Sequence, residues 1–381
     1  MPEVERGIER GVERGPVLVA DAGSSSLHLT VFAADGSVVA ERDSTSPPGD
    51  DAPDQLRRLL ADVGPPVAVG HRVVHGGPEL RHHARVDRRV RKRLGEVGEL
   101  APLHVPPALA VLDAARELLP DVPHVACFDT VFHAGLPAAA REYAVPEEWR
   151  RDDGLRRYGF HGLSYAWALD RAAAALGRRP GELRVVLAHL GGGCSACAVR
   201  EGRSVDTTMG FTPLEGLVMS HRSGSVDPGA LLWLQTRRGR GAEEIAEALN
   251  HRSGLLALSG SSDDTRDLVR DRAAGDRRAT LALDVFTHGV RRGVAAMAAS
   301  LDRLDAVVFT GEIGEDQPEV REEVCAGLGA LGVRGGLRVI EGAVPDTEVV
   351  SPPDAAVPVV VVPTGETRQV ALETRAVLAA G

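Results

Sequence analysis

Lysine is almost missing. Lys92 is the only one in 381 residues, and arginine carries the rest of the positive charge. No G-x-x-x-x-G-K-[ST] occurs, which excludes a P-loop nucleotide site. Any phosphate must then be met by Arg, His, backbone N–H groups and a metal. Positive charge is also outnumbered, with a formal net charge of −10. That excludes the dominant basic surface needed by a protein dedicated to nucleic acid or an anionic membrane. Cysteine is scarce: Cys127, Cys194, Cys197 and Cys325 are too few for a disulfide scaffold. Cys194-Ser-Ala-Cys197 has redox spacing, but it follows a glycine run inside a strand-like segment, and core filling is the better reading. No apolar run reaches membrane-spanning length, and the N-terminus is charged rather than signal-like, so a cytoplasmic protein is expected. The tandem VERG-IERG-VERG of residues 4–15 is assigned no function.

What is present is a globular composition, 43% hydrophobic, in a chain long enough for two domains. Strand-like apolar runs recur at 17–20, 27–32, 67–69, 122–127, 185–190, 306–310 and 357–362. Helical patterns lie between them, at 54–62, 107–119, 164–176, 242–250 and 279–303. The alternation predicts α/β architecture with mixed or parallel sheets.

Two stretches repeat one design. VLVADAGSSSLHLTVF (17–32) is strand, small-residue turn, strand, and so is VVLAHLGGGCSACAV (185–199). Each first strand ends at a polar residue, Asp21 or His189, and the chain turns through Gly and Ser. Half a chain apart, the two hairpins suggest two domains of related topology. AVVFTGEIGED (306–316) is a third strand running into a glycine-containing loop, at the kind of strand end where α/β sheets bind ligands. Small residues let a backbone approach a ligand, and successive N–H groups form a concave anion site. The same composition also makes an ordinary tight turn, so the hairpins alone decide nothing.

Other stretches are too polar and compact to be core filler: GHRVVHGG (70–77), LAPLHVPP (100–107), CFDTVFH (127–133), RRYGFHGLSY (156–165), DTTMGFTPLEGLVMSHRSGSVDPG (206–229) and PTGET (363–367). With these motifs, collinear from about residue 17 to the C-terminus, the sequence resembles the acetate kinase family, the acetate and propionate kinases of the actin-like kinase superfamily. The resemblance implies two domains of duplicated ribonuclease-H-like topology with a nucleotide cleft between them. Residues 1–132 with 367–381 would form the first and 133–366 the second. It implies ATP as co-substrate, Mg²⁺ or Mn²⁺, a small carboxylate acceptor and a homodimer, with phosphoryl transfer giving ADP and acetyl phosphate.

By the same resemblance, Asp129, His161 and Arg222 would be catalytic. Arg72, Val74, Leu103, His104, Phe160 and Pro213 would bind the carboxylate substrate. His28, the run His189, Leu190, Gly191, Gly192 and Gly193, the segment Asp264, Thr265 and Arg266, and the loop Glu312, Ile313, Gly314, Glu315 and Asp316 would bind the nucleotide. Asp21 and Glu366 would hold the metal. The chemistry agrees with such a set. A carboxylate with a pKa of roughly 4.3 is already ionised at pH 7, so the transfer needs cations and oriented donors more than a base.

The chain departs from the family pattern mainly on the nucleotide side. Asp21 replaces the usual Asn, His28 the usual Lys, and Gly192 and Gly365 replace Asn. Gly311-Glu312 stands where Gly-Gly is usual. An altered phosphoryl donor, pyrophosphate among them, and a weakly active acyl-phosphate sensor are therefore the alternatives to ordinary acetate kinase activity.

Overall fold

The computed structural model describes residues 15–23, 26–45, 48–102, 104–340, 344 and 346–380, without the side chains of 48–50. Most of the 4–15 repeat, Ser24, Ser25 and Leu103 lie outside the described residues. The chain divides into two compact units. The first takes the chain up to Ala134, Phe160–Ser164 and everything from Gly365 on; the second takes Gly135–Gly159 and Tyr165–Thr364.

The first unit is built on β1 (Val17–Ala22), β2 (Leu27–Phe32), β3 (Val38–Ser44), β4 (Ala68–Val73), β5 (Ala84–Arg85) and β6 (His124–Phe128). They lie in the order β3-β2-β1-β4-β6-β5. β1, β4 and β6 run parallel; β2 and β3 are antiparallel on one side and β5 on the other. The second unit holds β7 (Arg184–Leu190), β8 (Cys194–Arg200), β9 (Arg203–Thr207), β10 (Ala306–Thr310), β11 (Glu348–Val349) and β12 (Val359–Val361). Read from the β9 edge, its order is β9-β8-β7-β10-β12-β11, with the same pattern of parallel and antiparallel neighbours. The expected duplication is therefore present strand for strand. The run at 357–362 yields only three strand residues. Pro358 has no N–H for the ladder, which starts at Val359.

Side-chain alternation decides which residues reach the site. On β1, Leu18, Ala20 and Ala22 pack in one core and Val17 and Val19 in another, on the opposite face. The second core also holds Ala68 of β4, Val125 and Cys127 of β6, and Val370, Ala371 and Leu378 of the helix Glu366–Ala379. Counting on by twos places Asp21, Arg72 and Asp129 on that same face. All three stand at the carboxyl ends of parallel strands, the face on which the helix opening with Glu366 packs. In the second unit the long helix Arg277–Ala298 packs its buried Ala282, Leu283, Phe286 and Val290 against β7 and β8. No described helix is long and apolar enough to cross a membrane.

Candidate active site

Arg72 is the hub of the first unit. Its Nη1 donates to Asp21 Oδ2 at 3.0 Å, its Nη2 to Asp129 Oδ2 at 3.0 Å and its Nε to Asp129 Oδ1 at 3.3 Å. Glu366 Oε2 lies 3.4 Å from Nη1. Three carboxylates thus share one guanidinium. Burial alone would lower the pKa of Arg72, but Asp129, Asp21 and Glu366 outweigh it and raise it well above the ordinary value. One positive charge does not serve three negative ones equally. Burial outweighs the attraction of Arg72 and pushes Asp129 up to about 6, and burial likewise raises Glu366. Oε1 of Glu366 is buried and has no hydrogen-bond partner among the described residues.

His161 stands next to this cluster in the chain fold. It has φ 59°, a left-handed backbone that a non-glycine residue adopts at a cost. The next residue explains the constraint. The N–H of Gly162 donates to the carbonyl of Asp129 at 3.0 Å, and a Cβ on Gly162 would collide with that carbonyl. The turn that presents His161 is thereby tied to Asp129. Phe160 is buried and meets His75 edge-on, with ring centroids 5.4 Å apart, while Val74 is half-buried. His104 precedes the helix Val105–Leu118 as its N-cap residue. The ring of His28 is exposed and engaged by Asp43, Nδ1 to Oδ1 at 2.7 Å.

In the second unit the glycine turn is closed by the N–H of Gly191 donating to the carbonyl of Gly193. His189 and Leu190 before it are buried. The N–H of Ser220 donates to the carbonyl of Gly192 at 3.4 Å, which brings the loop of Arg222 to the glycine turn. Arg222 Nη1 donates to the carbonyl of Pro213 at 2.8 Å. It has no carboxylate partner among the described residues, and burial lowers its pKa. The loop is fixed from behind by Glu215, which accepts from Tyr143 Oη and, at 2.8 Å, from Arg157 Nη2. Sequence reasoning passed over Tyr143, Arg157 and Glu215.

Gly192 and Ser220 also line a pocket of about 430 Å³ with Asp263, Asp264, Thr265, Arg266, Glu312, Ile313, Asp316 and Gln317. Asp264 caps the helix Thr265–Ala273 and pairs with Arg266, Oδ2 to Nη2 at 2.6 Å. Glu312 and Asp316 are exposed carboxylates without an ion-pair partner among the described residues. Glu312 opens a five-residue helix directly after Gly311, whose φ of 84° suits glycine alone. Gly314 is buried in that helix. The carboxylate of Glu315 turns to the backbone: its Oε1 accepts from Gly311 N at 3.0 Å and Thr364 N at 2.8 Å.

The structure therefore brings Asp21, Arg72, Asp129 and Glu366 together in one unit. It brings the glycine turn, the Arg222 loop, Asp264–Arg266 and the loop 312–316 together in the other. Comparison with known proteins gives a consistent result. The model of the acetokinase family matches residues 54–372. The acetate kinase of Gloeobacter violaceus is 46% identical over 317 residues, 83% of this chain and 78% of that protein. The crystal structure of Porphyromonas gingivalis acetate kinase matches with a TM-score of 0.86 at 33% identity, over 95% of this chain and 99% of the other. A propionate kinase from Francisella tularensis has the same TM-score of 0.86 at 31% identity, over 95% and 99% of the two chains.

Proposed function

We propose that this chain, which belongs to the acetokinase family, is an acetate kinase: it transfers the γ-phosphoryl group of ATP to the carboxylate of acetate, giving ADP and acetyl phosphate. The observation that carries this reading is Arg222, a half-buried guanidinium with no carboxylate partner among the described residues, held beside a glycine turn and a pocket of nucleoside size. Its charge is unspent and available to the equatorial oxygens of a transferring phosphoryl group. Arginine in that role is worth on the order of 10³–10⁵ in rate. Acetate is ionised at neutral pH, so no base is required. Asp129 serves by orienting Arg72, and the tied turn presents His161 as a donor to developing negative charge. Val74 and Phe160 supply apolar surface for the acyl end. One methylene is worth only about 1–3 kcal/mol in such surroundings, so propionate is the natural competitor.

A divalent cation fits this chain's residues. Asp21 and Glu366 offer hard oxygens, and the unpartnered Oε1 of Glu366 is an atom that a cation would satisfy. No group of three His, Cys, Asp or Glu able to hold a metal occurs among the described residues. This suits Mg²⁺ or Mn²⁺, held by few side chains with water and phosphate completing the shell. Once bound, the ion would neutralise phosphate charge.

One observation favours a second reading of the donor. Glu312 and Asp316 put two exposed carboxylates on the pocket wall, which attract Arg266 across it without a contact ion pair among the described residues. They weigh on ATP and GTP alike and make pyrophosphate, which needs no nucleoside pocket, the donor to test beside them. The decisive assay is acetyl phosphate formation from acetate, Mg²⁺ and ATP, GTP or pyrophosphate, with Arg222→Ala beside the wild type. Activity with ATP, reduced at least a thousandfold in the variant, is expected. Activity with pyrophosphate alone selects the second reading. Folded wild type that is inert with all three donors removes the kinase reading and leaves an acyl-phosphate sensor.

The reading also carries a homodimer in the cytoplasm. The helices Pro228–Arg238 and Ala242–His251 bury no residue, and Leu232 and Trp233 are 60% and 48% exposed. Apolar surface of this kind calls for a cover, and a second copy is the proposed one. Sedimentation should give a dimer for the wild type and a shift to monomer for Trp233→Glu. A monomeric wild type would refute it.

A further inference from the structure

The wall of the nucleoside pocket is held by charged groups that face away from it. Arg321, on the helix Pro318–Ala326, is 1% exposed and is the largest fully buried side chain among the described residues. Its Nη1 donates to the carbonyl of Gly314 at 2.8 Å and to that of Glu315 at 2.6 Å. These are last-turn carbonyls of the short helix Glu312–Asp316, which that helix cannot satisfy from within. Arg321 forms no ion pair among the described residues. The opposite end of the same loop is held by the carboxylate of Glu315, which accepts from Gly311 N and Thr364 N.

This is an expensive way to stabilise a fold. Burial lowers the pKa of Arg321 despite the nearby carboxylates of Glu319, Asp316 and Glu315, so its guanidinium carries a desolvation cost that no contact ion pair offsets, and an apolar side chain of similar volume is commonly the more stable choice. Its hydrogen bonds instead fix a place. They set the height of the helix whose other face, through Glu312, Ile313 and Asp316, lines the pocket.

We infer that Arg321 is a positioning residue for the phosphoryl donor, with Glu315 as a second strut. Together they set nucleotide affinity by fixing the Gly311–Asp316 wall, and they leave the transfer step itself untouched. The inference rests on the proposed reading of this pocket as the nucleoside site.

The test uses the full chain with Arg321→Met, Arg321→Lys and Glu315→Leu. It measures kcat, KM for ATP and KM for acetate, the Kd of a methylanthraniloyl-ATP probe by fluorescence, and thermal unfolding. In Arg321→Met, KM for ATP and the probe Kd should rise at least tenfold. kcat should stay within threefold and KM for acetate within twofold. Arg321→Lys, which keeps a charge and fewer donors, should recover part of the loss, and Glu315→Leu should move in the same direction as Arg321→Met. A folded Arg321→Met with unchanged probe binding overturns the inference. So does a parallel loss in kcat and in both KM values, which marks a general structural role. If Arg321→Met does not fold, Glu315→Leu decides by the same criteria. Wild type that forms acetyl phosphate from ATP while a variant binds the probe normally defeats the positioning role alone. Wild type that neither binds the probe nor uses ATP defeats the functional reading, and this inference with it.

Discussion

Asp21 on β1 stands opposite Arg72 on β4, at the last pair of their parallel ladder. His189 on β7 stands opposite Thr310 on β10, at the last pair of theirs. Because the two sheets share one strand order, these are the same lattice point in two copies of one scaffold. In one copy the point is charged, and it recruits Asp129 and Glu366 to a single guanidinium. In the other no carboxylate or arginine stands at the point, and the hydroxyl of Thr310 is buried without a partner among the described residues. The frame determines where a side chain stands and its chemistry determines what is held there. A carboxylate cluster attracts cations. An edge without carboxylates, followed by Gly191, Gly192 and Gly193, lets backbone N–H groups meet an anion.

The sharpest way to break the comparison is to replace the polar residue of the second strand at each point with an apolar one. Arg72→Met removes the one positive charge from among three carboxylates. Breaking such a buried pair costs about 3–5 kcal/mol, and acid should soften the loss as the carboxylates take up protons. Thr310→Val at the equivalent point exchanges an unpaired hydroxyl for a methyl group. It should stay within about 1 kcal/mol of the wild type, on the stabilising side. Chemical denaturation of both variants at pH 7 and pH 5 is the check. Similar losses in the two would mean that the lattice points are not functionally distinct.

How much of this was legible in the sequence follows from the same geometry. The hairpins could be read because an apolar run, a small-residue break and a second run lie within sixteen residues. The residues of the first-unit cluster could be named only through the family resemblance, since they come from β1, β4, the end of β6 and the helix Glu366–Ala379, spread from 21 to 366. That they converge on Arg72 depends on long-range register, which no local pattern encodes. The helix opening at Glu366 left no clear signal, because Gly365 before it makes no side-chain cap. Arg321 was passed over for a related reason. On a helix rich in Glu it reads as a surface residue, and only the tertiary structure turns it inward. The carboxylate of Glu315 was expected at the nucleotide, whereas it holds the backbone of its own loop.

A smaller and more discriminating test keeps Arg72 and removes one of its claimants. Asn at position 21 can still accept a hydrogen bond, but it brings no charge. Without Asp21, which helps to raise Asp129, the carboxyl of Asp129 should fall below its present value of about 6. A carboxyl raised above its unfolded value adds stability below about pH 3.8, and that contribution is lost as pH rises through about 6. Relative to the wild type, metal-free Asp21→Asn should therefore gain about 1 kcal/mol between pH 4 and pH 7, set against the lost attraction between Asp21 and Arg72. The wild-type curve alone does not show this, because a second buried group titrates the other way. His71 and His124 lie buried with Nε2 and Nδ1 2.9 Å apart, and burial lowers both, His124 to about 4. Their neutral forms stabilise the fold above about pH 6.5, and that contribution is lost as pH falls towards 4. The two slopes oppose each other across one window. Subtracting the wild-type profile from that of Asp21→Asn cancels the histidines, which point to the other side of β4 from Arg72, and leaves the carboxylates. A difference that does not change between pH 4 and pH 7 would mean that Asp21 is not competing for Arg72, and that the first lattice point is no more electrostatically loaded than the second.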